Sequence, residues 1–310
     1  MFRLAHISDI HLGPLPKVSL SELASKRITG YVNWHRNRGK HLFGTTLDTV
    51  TDSIEALGVD HVAITGDIVN LATRTEIDTA RTWLETEFEP ARTTLVPGNH
   101  DAYVPNALER VVRSWRPWML SGAQHTGGDG ASSPFPTMAR RGPVALIGIS
   151  TANATMPFMA SGDLSRKQIR AAGGLLDEAG REGLFRVVLI HHPPIRGAAA
   201  WHKRLKGIGR FADMISEHGA ELVLHGHTHL DTLYELEGRD GMVPVVGIAS
   251  ASQGLGGHKP PAGFNLFEIA GERGAWQLGH KRFHLGDDGQ TMVENPLAVI
   301  GGPLSGKLEG

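Results

Sequence analysis

Short apolar runs along this chain break off abruptly into polar clusters. "FRLAHIS" (2–8) leads into "DIHLG", "HVAITG" (61–66) into "DIVN", and "TTLVPG" (93–98) into "NHD". Further on, "PVALIGIS" (143–150) leads into "TAN", "FRVVLI" (185–190) into "HHPP", and "ELVLHG" (221–226) into "HTH". These runs are rich in β-branched residues and Leu and have strand length, which predicts buried strands. Helical patterns separate them at 45–57, 74–88, 105–115, 165–180 and 207–218. Strands alternating with helices predict an α/β fold with substantial parallel pairing. Ligands in such sheets sit beyond the carboxyl ends of the strands, where the polar clusters fall. From about residue 230 the runs "LYELEG", "MVPVVGIASAS", "FNLFEIAG" and "AWQLGHKRFHL" predict antiparallel strands, and 286–310 a loosely held tail. No internal repeat is visible.

Composition narrows the chemistry. The 310 residues are 40% hydrophobic and 20% charged, as in a soluble globular protein of one large domain or two small ones. A formal net charge of −1 gives no reason to expect nucleic acid as a partner. With no cysteine, thiol catalysis, disulfides and thiolate metal sites are excluded. No apolar run reaches the length of a membrane span, and "MFRLAHISDIHLG" turns polar too soon for a secretory signal. The expectation is cytoplasmic residence.

The strand-end residues are Asp9, His11, Asp67, Asn99, His100, His191, His192, His227 and His229. They offer oxygen and nitrogen ligands without sulfur, a set suited to Mn, Fe, Zn, Co or Ni. In a strand, Asp9 and His11 at i and i+2 would face one ion together. His227 and His229 share that spacing but fall in a predicted loop, where they can divide between two ions. So many ligands exceed the needs of one transition metal and suit two ions that share a carboxylate. Taken singly, a lone Asp-x-His or Gly-Asp is more often a capped strand end than a ligand. Five clusters in order, each closing an apolar run, point to a metal site.

In these blocks the chain resembles the calcineurin-like metallophosphoesterases, and its bacterial phosphodiesterase branch in particular. That family's signature reads D-x-H, G-D, G-N-H-[DE], a His often followed by x-Pro, and G-H-x-H. Here "DIH" (9–11), "GD" (66–67), "GNHD" (98–101), "HHP" (191–193) and "GHTH" (226–229) match it without substitution. The resemblance implies a four-layer αββα sandwich of two mixed β-sheets over 1–285, with a dimetal site at the strand ends. It implies two divalent ions, Mn, Fe or Zn, one held by Asp9, His11 and His229 and the other by Asn99, His191 and His227. Asp67 would bridge them. His191 is taken over His192 as the histidine that precedes x-Pro. The resemblance also implies phosphoester hydrolysis by a metal-bridging hydroxide. His100 would be the catalytic side chain, Asp101 would orient it, and Asn99, His100 and His192 would touch substrate.

Two features bear on the substrate. "SGDLSRKQI" (161–169) resembles the Gly-x-Leu…Gln segment of cyclic-nucleotide and glycerophosphodiester phosphodiesterases. Residues 18–44 form an insertion in which Leu20, Leu23, Ala24, Ile28, Tyr31 and Trp34 recur at helical spacing among Lys26, Arg27, Arg36, Arg38 and Lys40. It reads either as a helical unit packed on the domain or as a lid. As a lid it would present Trp34 and Arg36 to an anionic, partly apolar substrate or an acidic membrane surface. The expected substrate is a small phosphodiester, with a lipid- or nucleotide-linked phosphate as the alternative. A metal-binding scaffold without activity is the third reading. The sequence does not set the oligomeric state.

Overall fold

In the computed structural model, which describes residues 1–36, 44–125, 133–296 and 301–303, every one of those apolar runs contains a strand. One sheet runs in the order Met292–Asn295, Gln277–Leu285, Gly263–Ala270, Phe2–Ile7, His61–Ile64, Thr93–Leu95, with Gly301–Pro303 also on Gln277–Leu285. The other runs Thr232–Glu237, Met242–Gly247, Leu222–His225, Phe185–Leu189, Val144–Gly148, Thr137–Arg141, Ala123–His125. Both sheets are mixed: the first is parallel from Phe2–Ile7 to its edge strand Thr93–Leu95 and antiparallel on the other side, and the second has a parallel centre with antiparallel edges. The predicted helices form at Gly44–Ala56, Arg74–Glu87, Ala107–Ser114, Arg166–Arg181 and Ile208–His218.

Strand alternation shows why four layers form. In Phe185–Leu189 the side chains of Phe185, Val187 and Leu189 enter the core between the sheets. Val188 and Ile190 face the opposite way, into a second core with Leu175 and Leu176 of one helix and Phe211 and Ile215 of another. A strand apolar on both faces needs a layer on each side, which is the αββα sandwich.

Register sets the site. Ile7 pairs with Ile64, and Ile64 with Leu95, so three parallel strands end level. Leu189 pairs with Gly148 and Leu224 in the other sheet. All five polar clusters therefore leave at one end of the sandwich.

Two expectations change. The tail expected from 286 instead adds strand Met292–Asn295, antiparallel to Gln277–Leu285, and Gly301–Pro303 pairs with the same strand. The long strand Gln277–Leu285 would otherwise carry a row of open backbone groups at its edge. The insertion is helical, with α1 at Leu20–Leu23 and α2 at Arg27–Arg36, but its apolar stripe is only half buried. Trp34 is buried beside Gly13, so it packs the insertion down and does not face substrate. Leu20 and Ile28 are exposed. Arg36 is exposed at the end of α2, while Arg38 and Lys40 lie outside the described residues.

Burial leaves His61 with one hydrogen bond, Nε2 to Thr94 Oγ1 at 2.9 Å, and an unpartnered Nδ1. Burial, with Arg141 and Arg92 nearby, pushes its pKa down to about 3. The unfolded chain protonates this imidazole near pH 6.5, while the folded one stays neutral down to about 3. Its contribution is thus complete above pH 6.5 and is lost as pH falls, at about 1.4 kcal/mol per pH unit. The melting temperature should fall less steeply between pH 6.5 and 5 in His61→Gln than in the wild type. Parallel pH dependences would contradict the account.

Candidate metal centre

Strands end before the ligands begin. Asp9 and His11 lie past Ile7, in loop, so the i, i+2 geometry of a strand does not place them. Left-handed backbone does it instead, with φ of 53° at Asp9, 45° at His11, 56° at Asp67, 72° at His227 and 54° at His229. Among the described residues eight non-glycines have positive φ, and these are five of them. Each such conformation costs about 1–3 kcal/mol, and their concentration in one place marks a functional site. Cross-loop bonds hold the kinks, including Asp9 N–H to Gly66 O and His11 N–H to Asp67 O, both 2.9 Å.

Glycines let the loops close. A Cβ on Gly98 would stand 2.2 Å from Asp67 Oδ1, and one on Gly226 would stand 1.8 Å from Ser8 Oγ. At Gly98 and Gly226 the glycine is thus a matter of space.

Carbonyl oxygens only accept, so they fix the histidine tautomers. His191 donates from Nδ1 to Thr65 O at 2.7 Å, which turns Nε2 toward Asp67 Oδ2 at 3.4 Å and Asn99 Oδ1 at 3.2 Å. His11 donates from Nδ1 to Val69 O at 3.3 Å and faces His229 Nε2 through its own Nε2 at 3.2 Å. His227 donates from Nε2 to Lys203 O, leaving Nδ1 2.8 Å from Asn99 Oδ1. Such outer hydrogen bonds are how metal-binding histidines are oriented.

The donor atoms converge. Asp9, His11 and His229 place ligand atoms within 4.8 Å of one another, as do Asp9, Asp67 and His191, and His11, Asp67 and His100. Asp67 Oδ2 lies between His191 and His11, at 3.4 and 3.9 Å, while Oδ1 accepts the His100 N–H at 2.6 Å. Asp9 Oδ1 is buried without a hydrogen bond, 3.2 Å from His229 Nε2. An orphaned carboxylate oxygen and lone pairs of different residues aimed at each other fit cations held among them. Electrostatics agree. Burial alone would raise the Asp67 carboxyl, yet the imidazoles of His191, His100 and His11 hold it well below its usual range. Burial would lower His191, and Asp67 instead lifts it to about 9. The carboxylates call for positive charge.

Two of the expected roles are corrected. His192 is buried, with Nδ1 2.7 Å from Thr151 Oγ1 and Nε2 donating to Ala160 O at 3.1 Å. Burial and His191 push it down to about 3. Although a ring nitrogen lies within 4.8 Å of ligand atoms of His191 and His227, His192 is a neutral strut with both nitrogens engaged by Thr151 and Ala160. Asp101 does not orient His100. Its carboxylate accepts the backbone N–H groups of Asp67, Ile68, Val69 and Gly98 at 2.8–3.2 Å. Burial and the Asp67 charge raise it to about 7, against the pull of those amides. Asn70 O, at 2.6 Å from Nδ1, is what orients His100, and Tyr103 stacks on the ring with centroids 5.3 Å apart. Glu76 in turn fixes Asn70 by accepting its N–H at 3.0 Å. Sequence reasoning missed Asn70, Thr65 and Tyr103. The first two act through main-chain carbonyls, which carry no residue signature.

The sequence matches, over residues 2–231, the family described as calcineurin-like phosphoesterase. None of the curated proteins matches it. Among solved structures, a dimetal phosphatase from Danio rerio is 13% identical with a TM-score of 0.56, covering 94% of this chain and 98% of that one. A 5'-nucleotidase precursor from Thermus thermophilus is 15% identical with a TM-score of 0.49, covering 98% of this chain and 54% of that one. At 13% identity the likeness to the dimetal phosphatase is one of fold.

Two variants separate the paired histidines. His191→Ala should lose bound metal by elemental analysis, while His192→Ala should keep it and melt lower. Metal loss in both would restore His192 as a ligand. Asp101→Ala strands four backbone donors and should cost several kcal/mol, at about 1–3 kcal/mol per unsatisfied group. An unchanged denaturation midpoint in Asp101→Ala would contradict the structural role.

Proposed function

The chain belongs to the calcineurin-like phosphoesterase family, and from that premise we propose that it hydrolyses phosphodiesters at a two-metal centre. The observation that carries this reading is the convergence of Asp9, Asp67, His11, His191 and His229 in overlapping groups of ligand atoms at the strand ends. Asp9, His11 and His229 would hold one ion, and Asn99, His191 and His227 the other, with Asp67 between them. The ligand chemistry suits Mn, Fe or Zn. Bound ions supply Lewis-acid stabilisation of phosphate oxygens and lower the pKa of water.

The chain's own part is to orient groups and to move a proton. Asn70 O pins the His100 Nδ1–H, so proton exchange with substrate falls to Nε2. A second proton there makes an imidazolium able to protonate the departing ester oxygen, the role histidine most often takes in general acid catalysis. Asn99, buried and beside His191 and His227, joins His100 at the mouth where phosphate would bind.

A diester is favoured over a monoester because of the segment 161–169. It packs behind the site, against the His192 strut and the loop after Val144–Gly148. Gly162 lies against the His192 ring, where a Cβ would be 2.5 Å from Nδ1. Gln168 grips the loop after Val144–Gly148 by accepting the Ser150 N–H at 3.0 Å and donating to Ser150 O at 2.9 Å.

Metal-loaded protein should turn over bis-aryl phosphate with a higher kcat/KM than aryl monophosphate. His100→Ala should lower kcat by about a hundredfold or more while retaining metal, the scale of a positioned acid. A preference for the monoester would overturn the diester reading, and an unaffected His100→Ala would remove that residue from the chemistry.

A further inference from the structure

Six large apolar side chains stand out around the mouth of the site. Leu20 in α1 is 86% exposed, Phe158 83%, Met156 74% and Trp201 70%, with Ile28 and Val32 of α2 also exposed. Apart from Met1, the first four are the most exposed large hydrophobics among the described residues. They come from three segments far apart in sequence that are fastened together. Lys26 Nζ, between α1 and α2, donates to Thr155 Oγ1 at 2.6 Å and Met159 O at 2.8 Å. The Ala160 N–H donates to His202 O at 2.9 Å, which joins the second segment to the third. The same rim reaches the metal cluster, since Ala160 O accepts from His192 and Lys203 O from His227.

The second segment is a small finger. A turn closed by the Met159 N–H on Met156 O at 3.1 Å, with Phe158 at φ 65°, holds Met156 and Phe158 at its tip. Left-handed backbone at an exposed aromatic is costly, and nothing in the core is gained by it. In α2 the faces divide. Arg27 and Trp34 are buried, while Ile28, Val32 and Arg36, at i, i+4 and i+8, form the outward stripe.

Charge identifies what the rim meets. Segments 14–36, 152–160 and 195–206 carry eight Lys and Arg, four in the first and four in the third, against Glu22 alone. Arg27 is the one of these that is buried. The excess there is +7 in a chain of net charge −1. A second copy would bring a like charge to this rim. Side chains that protrude, with cations among them, need no shaped cavity in the partner. A fluid acyl layer beneath anionic headgroups offers that combination.

We infer that this rim is a peripheral docking surface for anionic lipid bilayers, with Met156, Phe158 and Trp201 entering the interface. The mouth of the site then faces the headgroup layer. No described helix is long and apolar enough to cross a membrane. The inference stands on the rim and holds whichever phosphoester is cleaved.

The test is co-sedimentation of the metal-loaded protein with vesicles of phosphatidylcholine, alone or with about a third phosphatidylglycerol. Binding should need the anionic lipid and weaken as salt rises, because the Debye length shrinks from about 10 Å at 0.1 M to about 3 Å at 1 M. Met156→Ser with Phe158→Ser should weaken binding by about tenfold or more, the scale of withholding two apolar side chains. Trp201→Ser should act in the same direction. Both variants should keep the wild-type melting temperature and their turnover of a small aryl ester. The inference fails if anionic vesicles do not retain the protein at low salt, or if neither variant changes retention. It also fails if the free protein self-associates and the double variant abolishes that, which would make the rim a face between copies.

Discussion

Two carboxylates without solvent, Asp9 at 0% and Asp67 at 2% exposed, set the terms for the rest of this structure. Removing an ionised carboxylate from water costs several kcal/mol even after relaxation, unless opposite charge and hydrogen bonds replace the water. Here imidazoles of His11, His191 and His229 lie within 4 Å of the carboxylate oxygens, and one backbone amide donates to each carboxylate, that of His100 to Asp67 Oδ1 and that of His227 to Asp9 Oδ2. The arrangement stays short of positive charge, and Asp9 Oδ1 has no hydrogen-bond partner at all. Metal ions are the natural complement. The kinked backbone, the cramped glycines and the oriented imidazoles make sense as the means of holding such a set in place.

The same bonds join the two sheets at one end of the sandwich. His227 N–H donates to Asp9 Oδ2 at 2.8 Å, Ser250 Oγ–H to Asp9 O, and Ala251 N–H to Ser8 O. The His191 ring from the second sheet donates to Thr65 O at the end of a first-sheet strand. Site geometry and sheet packing are therefore one problem, and a loop cannot shift without disturbing ligands from both sheets. The rim carbonyls of Ala160 and Lys203 extend that linkage outward to the surface.

Much of this was legible in the sequence because it rests on patterns of side chains. Apolar runs such as "FRVVLI", which His191 follows, located strand ends to within a residue or two, and the level ends of parallel strands did the gathering. His191 is preferred over His192 in the sequence because it precedes x-Pro, and adjacent residues give little else to separate them. What was hidden runs through the backbone. Nothing in "GDIVN" announces that the Asn70 carbonyl, and not Asp101, would hold His100. An amphipathic stripe in 18–44 foretold helices, yet not that Arg27 and Trp34 would turn inward while Leu20 and Ile28 stayed out. Charged and aromatic residues at helical spacing do not say which face is buried when the helix is short.

Anomalous diffraction from crystals grown with manganese tests the central claim most directly. The account predicts two peaks about 3.5–4 Å apart, the spacing of two-metal hydrolytic sites. Asp67 Oδ2 should lie between them, and Asp9 Oδ1 should contact the ion shared with His11 and His229. A single peak at full loading, or two ions that leave Asp67 or Asp9 Oδ1 without a metal contact, would contradict it.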